Sequence, residues 1–242
     1  MQIKEWAKKL LGIRKLTSDD VLNNLRKKGA SIGEDVLIYG VSHTMVDQSS
    51  PWLLRIGSHV RIAEGTKILT HDYAWSVLKH WPDENGCAGA VLGAESPVTI
   101  GSCVFIGMNC IITRGVTIGD HVVIGAGSVV TKDCPSNGVY AGNPARRIMS
   151  IEDFCQKRKA LQWAEAKAIV LRYREQMGKM PPKEVLAEYF MLFTTRAEAE
   201  KTPAFRKKMA LLNNFDETAA YMDCHEPMFP DYESFLKACM EA

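Results

Sequence analysis

What this 242-residue chain lacks already narrows its class. Its seven cysteines, an odd number, contain no CxxC pair, so the thiols are expected to be reduced and the protein cytoplasmic. No apolar run approaches the roughly 20 residues that span a bilayer. The basic, amphipathic start MQIKEWAKKLLGIRK is also too polar for a signal segment. It reads as a helix packed on the protein's own core, with contact to a membrane surface as the alternative. Neither charge sign is in excess: 30 Lys and Arg against 28 Asp and Glu leave a net +2, which gives no field for nucleic acid. One scarcity is local. Of 18 glycines only Gly178 lies in the last 92 residues, whereas charged residues divide 29 to 29 between residues 1–150 and those 92. Two regions with different backbone needs share a chain of ordinary globular composition.

The glycine-rich region carries a period of six. Aliphatic residues stand at Ile100, Ile106, Ile112, Ile118, Ile124 and Val130, with glycine next at 101, 107, 119 and 125. Four positions after each aliphatic comes Val104, Cys110, Val116, Val122, Ser128 or Cys134. A helix needs apolar spacings of three and four, and a simple strand needs alternation. Six fits neither, and an ordinary meander of short strands would not hold the phase so long. It fits a parallel β-helix, in which six residues make one short strand and one corner. The aliphatic fills the interior, the small residue lies beside it, and the glycine permits the bend and a close backbone approach. The same phase recurs less cleanly at Ile32-Gly33, Ile56-Gly57 and Ile62-Ala63.

The segment IGDHVVIGAGSVVTKDCPSNGVYAGNPARRI resembles the closing coils of the hexapeptide-repeat acyltransferases, the family of the galactoside, maltose and serine acetyltransferases. The resemblance runs from about Ile32 to Ile148, interrupted by residues 72–97. It implies a mainly β fold, a left-handed parallel β-helix, although the period itself does not give the hand. It further implies a homotrimer that binds acetyl-CoA, as acyl donor, in grooves between subunits, with no metal. The expected organisation is an N-terminal helical cap over residues 1–30, the β-helix over 31–148 and a C-terminal α-helical extension over 149–242. That extension is read as a cap of the open solenoid rather than as an independent domain.

Acyl transfer to a hydroxyl needs a base, and neutral histidine suits it. His59 and His121 share one phase of the repeat and read as solvated corner residues. His225 lies outside the repeat. His71 ends the rung Ile68-Leu69-Thr70-His71, where the pattern breaks into the long segment 72–97. In the family the catalytic histidine stands at such a place, upstream of a rung like Ile100-Gly101-Ser102-Cys103-Val104-Phe105, which here has Phe where many relatives have Trp. The resemblance therefore implies His71 as general base, with His43 and His80 as rivals or acceptor contacts. It also implies that Lys132 of Thr131-Lys132-Asp133, and Arg146 of Gly142-Asn143-Pro144-Ala145-Arg146, reach the nucleotide end of CoA, joined by Arg147. Main-chain groups at Met108, Gly125 and Ala126 would border the pantetheine arm. Met108 replaces the serine of some relatives.

Loop 72–97 is too long for a plain corner. Tyr73, Trp75 and Trp81 suit stacking on sugar rings and Asp83 suits binding hydroxyls, while packing on a neighbouring subunit explains the aromatics equally well. Asp223-Cys224-His225-Glu226 reads as a structural loop, because adjacent ligands rarely make a tetrahedral metal site. A γ-type carbonic anhydrase, which shares the resembled fold, would need two histidines five apart in the repeat, and residues 100–134 contain only His121.

At the ends, Thr17-Ser18-Asp19-Asp20 forms a capping-box pattern and Gly29 stops the helix that follows. Ser150 with Glu152 and Asp153 starts a long helix that reaches about Met177, before Gly178 and Pro181-Pro182. A second helix is expected over 183–193, then a shorter pair over 203–213 and 231–241. The tail looks similar to those of acyltransferases of bacterial surface-polysaccharide clusters. The expected activity is acetyl-CoA-dependent O-acetylation of a sugar or polysaccharide hydroxyl. N-acetylation of an amino-nucleotide sugar, O-acetylation of a xenobiotic and a non-catalytic scaffold are the alternatives.

Overall fold

The computed structural model describes residues 16–241. The amphipathic N-terminus through residue 15 lies outside the described residues.

The period of six builds coils of three short strands each. The first holds β1 (Ser31–Ile32), β2 (Leu37–Ile38) and β3 (Met45–Val46); the second holds β4 (Leu54–Ile56), β5 (Arg61–Ile62) and β6 (Lys67–Ile68). After the long insertion come β7 (Val98–Ile100), β8 (Phe105–Ile106) and β9 (Ile111–Ile112), then β10 (Thr117–Ile118), β11 (Val122–Ile124) and β12 (Val129–Val130). Equivalent strands of successive coils pair in parallel and form three sheets, the faces of a parallel β-helix. The register stacks Ile32, Ile56, Ile100 and Ile118 in one column and Ile38, Ile62, Ile106 and Ile124 in a second. Val46, Ile68, Ile112 and Val130 form a third. All but Ile32 are buried, as are Val104, Cys110, Val116, Val122, Ser128 and Cys134 beside them. The second sheet continues through β13 (Gly138–Ala141) to β14 (Arg146–Ser150), which runs antiparallel and covers the edge.

The rung glycines have a narrower role than the sequence suggests. A Cβ on Gly101 would stand 2.7 Å from the carbonyl carbon of Gly119, so the coils stack too closely there for any side chain. The left-handed bend falls two residues later, on Asp35, His59, Cys103 and His121, with φ between 50 and 58°. A non-glycine residue in that region costs roughly 1–2 kcal/mol. Hydrogen bonds from the bend residue to the previous corner offset it: His59 N–H to Glu34 O, Cys103 N–H to Ser58 O and His121 N–H to Ser102 O. His59 and His121 therefore occupy equivalent corners, and His59 Nδ1 lies 3.0 Å from Asp35 Oδ2.

Helix α1 (Ser18–Lys27) begins with the capping box of Thr17 and Asp20 and ends before Gly29, whose φ is 101°. Its Leu22 and Leu25 are buried in the same apolar cluster as the rungs.

The chain divides into two compact units, between Phe154 and Cys155. Helix α2 (Ile151–Met177) starts in the first, where Ser150 Oγ accepts the Asp153 N–H at 3.0 Å, and continues into the second. The second unit has its own core, built on Val170, Leu186, Phe190, Phe193, Phe205 and Phe235. The helix expected over 183–193 does not form. Two short 3₁₀ segments, Lys183–Leu186 and Phe190–Leu192, stand in its place. Phe190, Leu192 and Phe193 are all buried, and residues two apart on an α-helix point to opposite sides, so only a broken backbone turns all three inward. The expected pair forms, as α4 (Pro203–Met209) and α6 (Tyr232–Met240), and two further helices stand beside it in the sequence, α3 (Arg196–Lys201) and α5 (Phe215–Cys224). α3 and α5 leave no apolar stripe to read, since each buries one residue, Ala199 and Ala219. Among the described residues no helix is long and apolar enough to cross a membrane.

Candidate active site

The β-helix brings a histidine and a carboxylate together at one corner. β6 ends at Ile68, Thr70 is fully buried, and His71 leaves the coil with its side chain 21% exposed. The pairing of Val46 with Ile68 sets Asp47, the next residue, beside this exit. Asp47 Oδ2 accepts from His71 Nδ1 at 2.5 Å, from Thr70 Oγ1 at 2.7 Å and from Thr70 N–H at 3.1 Å. Its Oδ1 accepts the Ser49 N–H at 2.9 Å. Burial alone would push the Asp47 carboxyl up, but the hydrogen bonds from Ser49 and Thr70 outweigh it and hold it well below the usual carboxylate range. An ionised Asp47 can only accept, so the proton sits on His71 Nδ1 and the lone pair on Nε2. Sequence reasoning did not select Asp47. The one signal for it is a carboxylate directly after the aliphatic of the preceding matching rung.

Tyr73 lies edge-on to His71, centroids 5.1 Å apart at 75°, and Trp75 follows at 6.2 Å from Tyr73. They start the 72–97 insertion, whose legs are tied by Asp72 N–H to Ala94 O and Ser96 N–H to Thr70 O. Asp72 also pairs with Arg114 across the corner, and that guanidinium, with the Ala74 N–H, holds its carboxyl below the ordinary value.

The other residues picked for the acceptor are not gathered here. Asp83 closes its own turn, its carboxylate accepting the Asn85 and Cys87 N–H groups, both at 2.9 Å. His80 ends the 3₁₀ helix Ala74–His80, and Trp81 beyond it is 73% exposed. Among the described residues neither touches His71 by a hydrogen bond or ring contact. His43 pairs with Glu64 at 2.7 Å, upstream of β3 and β6, whereas Asp47 and His71 stand downstream of the same strands. The two histidines occupy opposite corners.

The three cations do converge. Lys132, Arg146 and Arg147 line a pocket of about 290 Å³ with Asp133, Tyr140 and Ala145. Asp133 accepts the Thr117 N–H at 2.7 Å, and among the described residues none of the three cations forms a salt bridge. Pairing of Ile112 with Val130 sets Arg114 one coil before Lys132, so cationic side chains follow the corner from beside His71 to this pocket. Met108 is half exposed and its carbonyl accepts the Gly127 N–H at 2.7 Å. The close neighbour at Gly125 is the protein itself: a Cβ there would stand 2.8 Å from Ala141 Cβ. Ala126 lies against Gly107, whose added Cβ would meet its nitrogen at 2.5 Å.

Comparison with known proteins agrees with this architecture. A family model described as bacterial transferase hexapeptide (six repeats) matches residues 97–132. Protein CapG of Staphylococcus aureus is 40% identical over 133 residues, which is 54% of this chain and 72% of CapG. The chain belongs to the hexapeptide-repeat acyltransferase family. A second member, the galactoside O-acetyltransferase of Escherichia coli (strain K12), is 60% identical over 57 residues, but these are only 24% of this chain and 28% of that enzyme. Among solved structures, the maltose O-acetyltransferase from Clostridium difficile 630 is 31% identical, with 60% of this chain and 84% of that chain covered at a TM-score of 0.42.

Proposed function

We propose that this hexapeptide-repeat acyltransferase moves an acetyl group from acetyl-CoA to a hydroxyl of a sugar or polysaccharide, with His71 as general base. The observation that carries the reading is the Asp47–His71 pair at the mouth of the long loop. Asp47 fixes the ring and tautomer so that Nε2 is free to take a proton. As the acceptor oxygen attacks the thioester carbonyl, His71 Nε2 removes its proton, and main-chain N–H groups of the groove stabilise the tetrahedral oxyanion. Collapse breaks the C–S bond, the acetyl ester remains on the acceptor, and the imidazolium returns its proton to the CoA thiolate. Asp47 stabilises the imidazolium while it lasts.

Lys132, Arg146 and Arg147 are assigned to the phosphates of CoA, supported by the pocket they share. Main-chain groups of Met108, Gly125 and Ala126 are assigned to the pantetheine arm. Tyr73 and Trp75, next to His71, offer the acceptor a stacking surface, while His43, His80, Trp81 and Asp83 stand outside this assignment. The working form is a cytoplasmic homotrimer of left-handed β-helices with donor grooves between subunits, which the flat stacked faces suit. The test is His71→Ala. Turnover should fall by about 10²–10⁴-fold, the usual contribution of a positioned base. Acetyl-CoA binding by calorimetry should stay near wild type. Near-normal kcat in this variant would remove His71 from the role.

A further inference from the structure

The two legs of the 72–97 insertion meet at one antiparallel pair, His71 opposite Glu95. Hydrogen bonds flank the pair rather than join it: Asp72 N–H to Ala94 O at 3.0 Å and Ser96 N–H to Thr70 O at 2.9 Å. That pattern defines a non-hydrogen-bonded pair, in which opposed Cα atoms approach to about 4.5 Å and both side chains project from the same face. The Glu95 side chain therefore stands beside the His71 imidazole, in an exposed position. His71 uses its Nδ1 on Asp47 and leaves Glu95 aside. The Glu95 carboxylate receives one hydrogen bond, from Ser50 Oγ to Oε2 at 3.3 Å, and Ser50 is buried at 5% exposure. Among the described residues no lysine, arginine or histidine pairs with it.

A carboxylate has about four lone-pair sites, so most of the acceptor capacity of Glu95 is open next to the imidazole. Opposed side chains on one face of such a pair can converge at their polar tips, so that both reach neighbouring hydroxyls of one sugar ring. With one hydroxyl on His71 Nε2, the next is within reach of a carboxylate beside it, which can only accept. We propose that Glu95 is a specificity-determining residue. Its carboxylate accepts a hydrogen bond from the acceptor hydroxyl adjacent to the one being acetylated, so the site selects vicinal diols. This assignment rests on the reading of His71 as the base for a sugar hydroxyl. Ser50, from the coil below, positions the Glu95 carboxylate.

The test uses the full-length protein with acetyl-CoA and a panel of methyl glycosides (galactoside, glucoside, mannoside) and their monodeoxy derivatives. Glu95→Ala should raise the KM of the acceptor about tenfold, the usual cost of losing a hydrogen bond to a charged group, and leave the KM of acetyl-CoA within twofold. In the wild type, removing the hydroxyl next to the acetylated position should cost a similar factor. In Glu95→Ala that deletion should cost nothing further, which a merely structural role for Glu95 would not produce. Ser50→Ala should fall between, and unchanged melting temperatures would exclude misfolding, since the bridge is made by main chain. Equal acceptor KM in wild type and Glu95→Ala, or an unchanged deoxy penalty in the variant, overturns the role of Glu95 alone. Failure of the wild type to acetylate any glycoside overturns the sugar-hydroxyl reading, and the Glu95 assignment falls with it.

Discussion

Asp47 is the residue whose chemistry is most constrained. It is nearly sealed from solvent, yet its charge survives because four hydrogen bonds converge on two oxygens. Replacing it by Asn keeps the shape and removes the preference for a proton on His71 Nδ1. Asp47→Asn should lower kcat by about 100-fold, within the range of lost base catalysis, with little change in acetyl-CoA affinity. The same residue predicts an acid response. Its folded carboxyl lies below the ordinary value of 3.8, so its stabilising contribution is complete above that value and is lost as pH falls through and below it. The urea midpoint of the wild type should therefore drop more steeply between about pH 5 and about pH 2 than that of Asp47→Asn. Parallel curves would mean that Asp47 is not the titrating group. His71 is legible in the sequence because it ends a rung before a long break. Asp47 is not, because Val46 and Ile68, the pair that aligns it, are not spaced by the regular coil length that separates Ile112 from Val130.

At the scale of the element, a coil repeats exact stacking distances, so its tolerances can be read position by position. At Gly101 an added Cβ would meet Asp120 Oδ1 at 2.4 Å and backbone of the next coil at 2.7 Å, and backbone cannot give way cheaply. Gly101→Ala should destabilise by about 1–3 kcal/mol, the cost of overpacking. Gly93→Ala, in the loop where nothing lies within 4 Å, should be neutral within about 0.5 kcal/mol. Chemical denaturation of the two variants checks the contrast. Equal effects would show that glycine serves these coils by chain entropy rather than by contact. The three interior columns are legible in the sequence from residue 98 onward because nothing interrupts the period there. The location of the left-handed bend is only partly legible: Asp35, His59, Asn109, His121 and Asn137 are of the types enriched at positive φ, whereas Cys103 carries no such signal and is set there by the turn itself.

For the whole molecule, the composition shift noted at the start corresponds to two ways of burying apolar surface. The first unit fills a narrow prism with stacked isoleucines and valines, one column per face. The second packs aromatic rings against one another: Phe193 lies 4.8 Å from Phe235 and 6.2 Å from Phe205, and Phe190 stacks on Phe205 at 5.1 Å. The start and stop of α2 are legible, since Ser150 and Gly178 flank it. The irregular 183–193 segment is not, because its form is dictated by the three-dimensional cluster rather than by a local period. Separate cores predict separable losses. Phe193, fully buried among rings, should cost about 3–5 kcal/mol when cut to Ala, and Ile106, fully buried in the β-helix, about 2–5 kcal/mol. In thermal unfolding followed by tryptophan fluorescence and by acetyl-CoA binding, Phe193→Ala should lower the transition reported by Trp163, which packs on Phe229 and Phe235. It should leave acetyl-CoA binding near wild type, because the assigned donor residues lie in the first unit. Ile106→Ala should do the reverse, weakening acetyl-CoA binding on heating while the Trp163 signal holds. If either substitution moves both readouts together, the two cores unfold as one cooperative structure, and the helical extension behaves as a cap of the β-helix rather than a unit of its own.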